Sequence, residues 1–326
     1  MNNHYIAWWN LENLFDVEDA PPSRRPDWLA KQLANELEGW TAPVLNKKIA
    51  QLAWVIKQMN GGAGPDILGV CEVENEYVMD LLAKAIKMPG RKYDVIHHDA
   101  SDGRGIDVAF IYDASKYDWD GNIYHHEVLK RSATRDIVQA GLTTNNGNGT
   151  ELILIGNHWP SRIGGEFKSA PYRMMAAETL SYWLSRIQEI KGRDAAIFVM
   201  GDFNDVPHNH SMTDYALSTM SRNKVVYGRN PYLYNLMWPL LGARRASYID
   251  SGRPIMLDQF LVSRGIALKS GKFSLDDQAV KLEVYDGMVT GRYNTPVRFG
   301  RPAKPSTYNQ QGFSDHLPIS VVLGEK

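Results

Sequence analysis

Ile197-Phe198-Val199-Met200-Gly201-Asp202-Phe203-Asn204-Asp205 is an apolar run that breaks off at glycine and then at Asp-x-Asn. Such a run bounded by a turn signal reads as a buried strand. Alternation along an extended chain puts Asp202 and Asn204 on one side and Phe203 on the other. A carboxylate beside a carboxamide suits phosphate chemistry: the first takes a proton from water or binds a cation, the second donates to a phosphate oxygen. The same residue types also stabilise ordinary turns at strand ends, so this stretch alone leaves both readings open. The decision rests on how the other strands end.

On the N-terminal side, Leu152–Gly156 reads as a strand that ends at Asn157-His158-Trp159-Pro160-Ser161-Arg162. Ala170–Ile190 follows as a helix with Met174, Ala177, Leu180, Leu184 and Ile187 inside and Arg173 in its first turns. On the C-terminal side, His208 and His210 stand in a polar stretch, as metal ligands or as solvated loop residues. Residues 227–256 mix Tyr232, Tyr234, Trp238, Arg244, Arg245 and Tyr248, a composition that suits nucleic-acid contact and surface packing equally. Met256–Val262 is a strand carrying the inward polar pair Asp258 and Gln259, and residues 270–312 are irregular. Phe313-Ser314-Asp315-His316 leads into a last strand, Ile319–Leu323, and an Asp-His pair at its mouth is hard to explain as packing.

The first half follows the same pattern. Tyr5–Trp9 is a strand that stops at Asn10-Leu11-Glu12-Asn13, where Asn10 and Glu12 share one side or cap a following turn. Residues 16–45 form an excursion with one helix, Trp28–Glu38. Lys47–Met59 is a helix with Ile49, Leu52, Ala53, Ile56 and Met59 on its core face, closed by Gly61-Gly62-Ala63-Gly64-Pro65. Asp66–Cys71 is a buried strand ending at Glu72-Val73-Glu74-Asn75. A hard cation compensates the desolvation of an acid at such a place, so Glu72 and Glu74 compete as ligands, with Glu74 alternatively capping a helix over Glu76–Ile86.

Tyr93–His97 and Ile106–Tyr112 look paired. Between them Gly103 and Gly105 flank Arg104, which offers a guanidinium to phosphate or belongs to an ordinary hairpin loop, and Asp107 is its possible partner. Ile123–Lys130 and Arg135–Leu142 make a further pair, with Asn145–Gly149 a flexible hairpin tip and Arg135 a second phosphate contact or a surface charge.

The 326 residues carry a formal net charge of -1, which excludes a strongly basic nucleic-acid coat but not a local basic groove. A lone Cys71 excludes an intramolecular disulfide and a cysteine-based zinc cluster. No stretch is long and apolar enough to span a bilayer, and Met1-Asn2-Asn3-His4-Tyr5 lacks the features of a secretory signal. These point to the cytoplasm. No repeat, low-complexity tract or linker divides the chain, so one catalytic domain over 1–326 is expected. Many short strands with few helices suit two packed sheets flanked by helices better than a doubly wound sheet.

Six strand ends thus carry Asn10 and Glu12, Glu72, His158, Asp202 and Asn204, Asp258, and Asp315 with His316. Oxygen-rich ligands suit Mg2+ or Mn2+ better than zinc, and acids with histidines around a hard cation suit phosphoester hydrolysis by activated water. The order Trp9-Asn10-Leu11-Glu12, Glu72, Asn157-His158, Gly201-Asp202-Phe203-Asn204, Leu257-Asp258, Ser314-Asp315-His316 resembles the exonuclease–endonuclease–phosphatase superfamily, from residue 5 to 323. Details such as Arg104-Gly105-Ile106-Asp107 are similar to a bacterial branch of nuclease-like proteins.

The resemblance implies an α/β fold, a four-layer αββα sandwich with its site between the sheets. It implies Glu72 as main metal ligand, with Asn10, Asp315 and Glu12 near the cation. Asp202 would orient or deprotonate water, Asn204 would hold the scissile phosphate, and His316, oriented by Asp258, would stabilise the transition state or assist proton transfer. His158 would contact the phosphate or protonate the leaving oxygen. To these we add Arg104, Arg135 and Arg162 as phosphate contacts. Gly201-Asp202-Phe203-Asn204-Asp205 lacks the following Arg of inositol phosphatases, and Leu257-Asp258-Gln259-Phe260 departs from their pattern. The expectation is a Mg2+- or Mn2+-dependent phosphodiesterase acting on DNA, with no membrane span and no obligate protein partner. Against it stand a phosphomonoesterase or a lipid or small-molecule phosphodiesterase, and a binding module with a silent site.

Overall fold

The first strand, β1 (Asn2–Leu14), is buried on both faces and so demands a cover on each. Tyr5, Ala7, Trp9 and Leu11 point one way, Ile6 and Trp8 the other. In the computed structural model, which describes residues 2–131, 134–145, 149–275, 280–300 and 308–326, each face finds its cover. Past the short α1 (Asp27–Leu33), α2 (Ala42–Gln58) and α3 (Glu76–Ala85) lay Leu45, Ile49, Leu52, Val78 and Leu82 against the Tyr5–Trp9 face. The Ile6–Trp8 face packs on Phe198, Met200 and Phe260 of a second sheet.

The first seven-stranded sheet runs in the order Phe273–Leu275, Ile319–Glu325, β1, β2 (Ile67–Val73), β4 (Asp107–Asp113), β3 (Tyr93–His97), with Lys281–Leu282 also paired to Ile319–Glu325. The second runs β5 (Tyr117–His126), β6 (Ile137–Thr144), β7 (Glu151–His158), β8 (Ile197–Asp202), Asp258–Val262, Leu233–Asn235, Ser218–Thr219. On its outer face α4 (Glu166–Lys191) buries Ala176, Ala177, Leu180, Leu184 and Ile187. The result is the expected four-layer sandwich.

Topology decides where the site falls. β1 and β2 are a parallel pair, as are β7 and β8, so their C-terminal ends emerge together. The strand starting at Asp258 is antiparallel to β8, with Asp258 opposite Asp202. The strand starting at Ile319 is antiparallel to β1, with Ile319 opposite Trp8. The starts of these two strands therefore lie on the same rim as the other ends.

Two expectations shift. The pair expected at Ile123–Lys130 and Arg135–Leu142 is Tyr117–His126 with Ile137–Thr144. β5 is an edge strand, largely exposed, and its charges hide it from a hydrophobicity reading. The helix expected over Trp28–Glu38 ends at Leu33, though Leu37 and Trp40 remain buried with Leu29, Ile106 and Phe299. The hairpin tip Asn145–Gly149 falls partly outside the described residues, as do parts of 270–312. Among the described residues no helix is long and apolar enough to cross a membrane.

Candidate active site

The strand ends at this rim are bent. Glu12, Asn13, Glu72 and Asn204 all sit at positive φ, 52°, 60°, 63° and 50°. Asn tolerates left-handed backbone, but for Glu12 and Glu72 it is unfavourable and persists only where surrounding contacts enforce it. The ladder of β1 on β2 shifts register between Asn10 and Leu14, and that of β2 on β4 between Cys71 and Val73. Such bulges re-aim side chains off the alternating pattern.

Asp258 is fully buried and accepts from the Trp8 indole at 2.9 Å and from His316 Nδ1 at 2.7 Å. Trp9, pointing to the opposite face, donates its indole N–H to the His316 carbonyl at 2.9 Å. Two consecutive tryptophans thus fix both the ring and the backbone of one histidine. Burial alone would lower the His316 pKa, but the Asp258 and Asp202 carboxylates overcome it and hold the imidazolium well above its ordinary range. His316 Nε2 faces Asp202 Oδ2 at 3.9 Å, and the Tyr248 ring lies against the imidazole with centroids 4.7 Å apart.

Asp202 accepts from Asn10 Nδ2 at 3.1 Å and from the Asn204 backbone N–H at 2.9 Å. Burial, opposed by His316 and reinforced by Asp258, pushes its pKa up to about 6. That is a carboxylate poised as a base near neutral pH. Asn204 donates Nδ2 to the Trp159 carbonyl at 3.0 Å.

Glu72 and Asp315 form the carboxylate pole. Glu72 Oε2 accepts the Asn13 N–H at 3.0 Å, and Oε1 lies 3.7 Å from His158 Nε2. Burial, with Glu12 and Glu72 adding to it against His316, raises the Asp315 pKa to about 6. Buried carboxylates converging in this way fit a bound divalent ion, and the oxygens of Glu72 and Asp315 are hard donors. Asn10 Oδ1 already accepts the Glu12 N–H at 2.9 Å, so Asn10 orients Asp202 and keeps one lone pair for an ion.

Glu12 differs from its expected role. Its oxygens accept from Arg298 Nε at 2.6 Å and from the Phe299 and Gly300 N–H groups at 3.0 and 3.2 Å, with buried Lys48 4.0 Å away. It anchors the segment beneath Asp315 rather than offering a free oxygen. Arg298 and Lys48 escaped the sequence reading because both lie far from any motif. Trp8 and Trp9 carried a signal that was missed: a buried indole N–H requires an acceptor.

His158 is buried, and burial, reinforced by Arg135 and Arg104, lowers its pKa well below the ordinary value. It is a neutral imidazole whose Nδ1 has no hydrogen-bond partner among the described residues. Arg135 is buried, donates to the Trp159 carbonyl at 2.9 Å and lies 3.5 Å from Asp102, so it stands behind His158 rather than on the surface. Arg162 pairs with Glu166, 3.8 Å from Asp205. Asp205 itself takes the buried Arg173 at 2.8 Å.

Several polar residues flagged by the sequence are engaged away from the cleft. Glu74 pairs with buried Arg25 at 2.5 Å, and Asn75 rather than Glu74 caps α3. Asp107 faces His97 at 3.6 Å and the Ala100 N–H, not Arg104. His210 pairs with Asp214 on the surface. Of the aromatic and arginine residues in 227–256, only Tyr248 reaches the cleft; Tyr232 lies under Lys224 and Tyr234 under Arg222.

The cleft encloses about 290 Å³ between Glu72, His158, Asp202, Asn204, Asp315 and His316, with Arg104 and Arg162 on its rim. Through Arg104 and Ser161 it adjoins a second concavity of about 580 Å³ lined by Trp28, Lys130 and Arg135. Two packed mixed sheets with carboxylates, histidines and arginines converging on one rim define a phosphoester-hydrolysing enzyme. The chain belongs to the Endonuclease/Exonuclease/phosphatase family, whose model matches residues 5–325. Its fold is similar to that of humanized D. rerio TDP2 (TM-score 0.59, 14% identity, 99% of each chain). It is also similar to the human Nocturnin catalytic domain (0.55, 13%, 99% of this chain and 95% of that one). A Bacteroides thetaiotaomicron mannosyl-6-phosphatase shares the fold as well (0.53, 15%, 98% and 99%). At these identities the likeness bears on fold. No curated protein matches the chain.

Proposed function

We propose that the chain is a Mg2+- or Mn2+-dependent phosphodiesterase that cuts a DNA strand, acting as one catalytic domain. The observation that carries the nucleic-acid reading is the second concavity beyond Arg104. Trp28, half exposed, offers a stacking face, and Lys130, Arg104 and Arg135 give the wall a positive lining. A substrate held in the cleft has a route to extend along this wall. A DNA complex is known in the same fold, since D. rerio TDP2 has been seen with a single-strand DNA product.

Glu72 and Asp315, with Asn10 beside them, would hold the cation, which when bound neutralises charge building up on the phosphate oxygens. Asp202, ionised and fixed by Asn10 and the Asn204 N–H, takes a proton from the attacking water. His316, charged by its pairing with Asp258, donates to a phosphate oxygen entering the gap it shares with Asp202. Neutral His158 and the Asn204 amide contact the same phosphate. Arg104 and Arg162 hold the flanking charge.

The test sets purified protein against supercoiled plasmid, a labelled single strand, bis(p-nitrophenyl) phosphate and p-nitrophenyl phosphate, each with Mg2+, Mn2+ or chelator. Asp202→Ala and His316→Ala are expected to fold and to lose nearly all cleavage. Retained activity in both refutes the site assignment. Turnover of the monoester alone favours the second reading, a small-molecule phosphatase, for which the modest volume of the cleft and the acidic Asp250 on its lining speak.

A further inference from the structure

The carboxylate pole of the cleft is partly neutralised from within the chain. Glu12, the third acid there, meets two cations: the Arg298 guanidinium at 2.6 Å and the Lys48 ammonium at 4.0 Å. It also accepts from the N–H groups of Phe299 and Gly300. Lys48 is fully buried and donates to the Phe313 carbonyl at 2.7 Å, which fixes it in place. Arg298 is held differently. Its backbone is pinned on both sides: the Val297 carbonyl accepts the Phe313 N–H at 2.7 Å, and the Phe299 carbonyl accepts the Asn309 N–H at 2.8 Å. Its side chain is 60% exposed and spans two acids, with Nε on Glu12 and Nη2 3.5 Å from Asp315 Oδ2.

We propose that Arg298 is a resident counter-cation of this pole: it cancels the charge of Glu12, competes with a divalent ion for Asp315, and so limits the cleft to one such ion and sets its affinity. This role for Arg298 rests on the reading of Glu72 and Asp315 as the ion's carboxylates. Their two negative charges match one divalent ion, whereas a second ion would need Glu12, whose oxygens are committed to Arg298, Phe299 and Gly300. The contact with Asp315 adds nothing to the anchoring of Glu12, which Nε and the two N–H groups accomplish by themselves. Entry of the ion breaks this longer contact, and the exposed guanidinium swings outward while the pinned backbone stays where it is. A positive charge left beside the ion weakens its binding, because like charges a few ångströms apart repel appreciably near a protein surface.

The test titrates metal-free protein with Mn2+ in the absence of substrate, reading the free ion by electron paramagnetic resonance. Wild type, Arg298→Ala, Arg298→Gln, Arg298→Lys and Glu72→Gln are compared, with circular dichroism to check that each is folded. Wild type is expected to bind one ion that depends on Glu72, Glu72→Gln weakening it at least about tenfold. Arg298→Ala and Arg298→Gln should each bind that ion about tenfold more tightly. Arg298→Lys keeps the charge and loses the fork, so it should stay within about threefold of wild type, a rescue that a packing role would not give. Unchanged affinity in both neutral variants, equal tightening in Arg298→Lys, or two wild-type ions that both depend on Glu72 would each overturn the proposal. Wild-type binding in Glu72→Gln would mean that the ion's carboxylates are misassigned and would take the role of Arg298 with them. A response in Glu72→Gln alone would leave that assignment standing and remove only Arg298.

Discussion

Replacing Asp258 by Asn removes one charge and almost no volume, which makes it the cleanest probe of the pairing behind His316. The carboxylate accepts two N–H groups, from Trp8 and from His316. An amide has a single acceptor oxygen, so one of the two donors must face an NH2 group instead. A charge-assisted hydrogen bond contributes about 1.5–3 kcal/mol and a stranded buried donor costs about 1–3, so roughly 3–5 kcal/mol is lost. A chain of 326 residues unfolds with an entropy of about 0.7 kcal/mol/K, so the melting temperature should fall about 4–7 °C. The fold survives, but His316 loses the partner that keeps it charged, and hydrolysis of bis(p-nitrophenyl) phosphate should drop roughly 10²- to 10⁴-fold in kcat. Circular dichroism melts and initial rates under saturating Mg2+ measure both. Unchanged melting together with a rate within twofold of wild type would refute the role assigned to the pair.

Glu72→Gln should weaken Mg2+ dependence, raising the concentration for half-maximal activity at least about tenfold, as read from a metal titration. Trp28→Ala should raise KM for single-stranded DNA by about 5- to 150-fold, the worth of one stacked base, while leaving bis(p-nitrophenyl) phosphate untouched. Arg25→Ala leaves Glu74 buried and uncompensated and should cost about 3–5 kcal/mol in urea melts. Burial raises the Asp107 pKa to about 6, so its ionisation opposes folding. The folded form binds the proton more tightly than the unfolded chain, so this residue's contribution is full at acid pH and is lost as pH rises through about 4 to 6. Asp107→Asn should therefore gain up to about 3 kcal/mol on wild type between pH 4 and 7 in denaturant titrations.

The sequence marked the strands of both sheets where apolar runs met Gly, Asn or Asp, because burial on two faces leaves that imprint. It missed β5, whose alternation is masked by charges, and it shortened β1, whose last residues bend at Glu12 and Asn13. Asp202, His158, Asp258 and His316 were legible as polar residues where packing has no use for them. Left-handed backbone at Glu72 was not, since a glutamate has no local preference for it and tertiary contacts must impose it. Nor was the choice between Glu72 and Glu74, which turns on Arg25 nearly fifty residues earlier in the chain. The Arg and aromatic residues of 227–256 suited a nucleic-acid surface and surface packing equally, and the concavity that suits nucleic acid is lined instead by Trp28 and Lys130, residues that carry no motif.

The bond from Trp9 to the carbonyl of His316 spans 307 positions, and the one from Trp8 to Asp258 spans 250. One end of the machinery is therefore synthesised long before the other. While Ile319–Glu325 is still inside the ribosome, β1 lacks one neighbour, Asp258 lacks its histidine, and the residues already outside cannot complete the chemistry. The site on a nascent chain thus stays incomplete until that strand adds to the sheet beside β1. The long loop closure makes folding slow, and by the same token it makes hydrolytic activity a late acquisition of the folding domain.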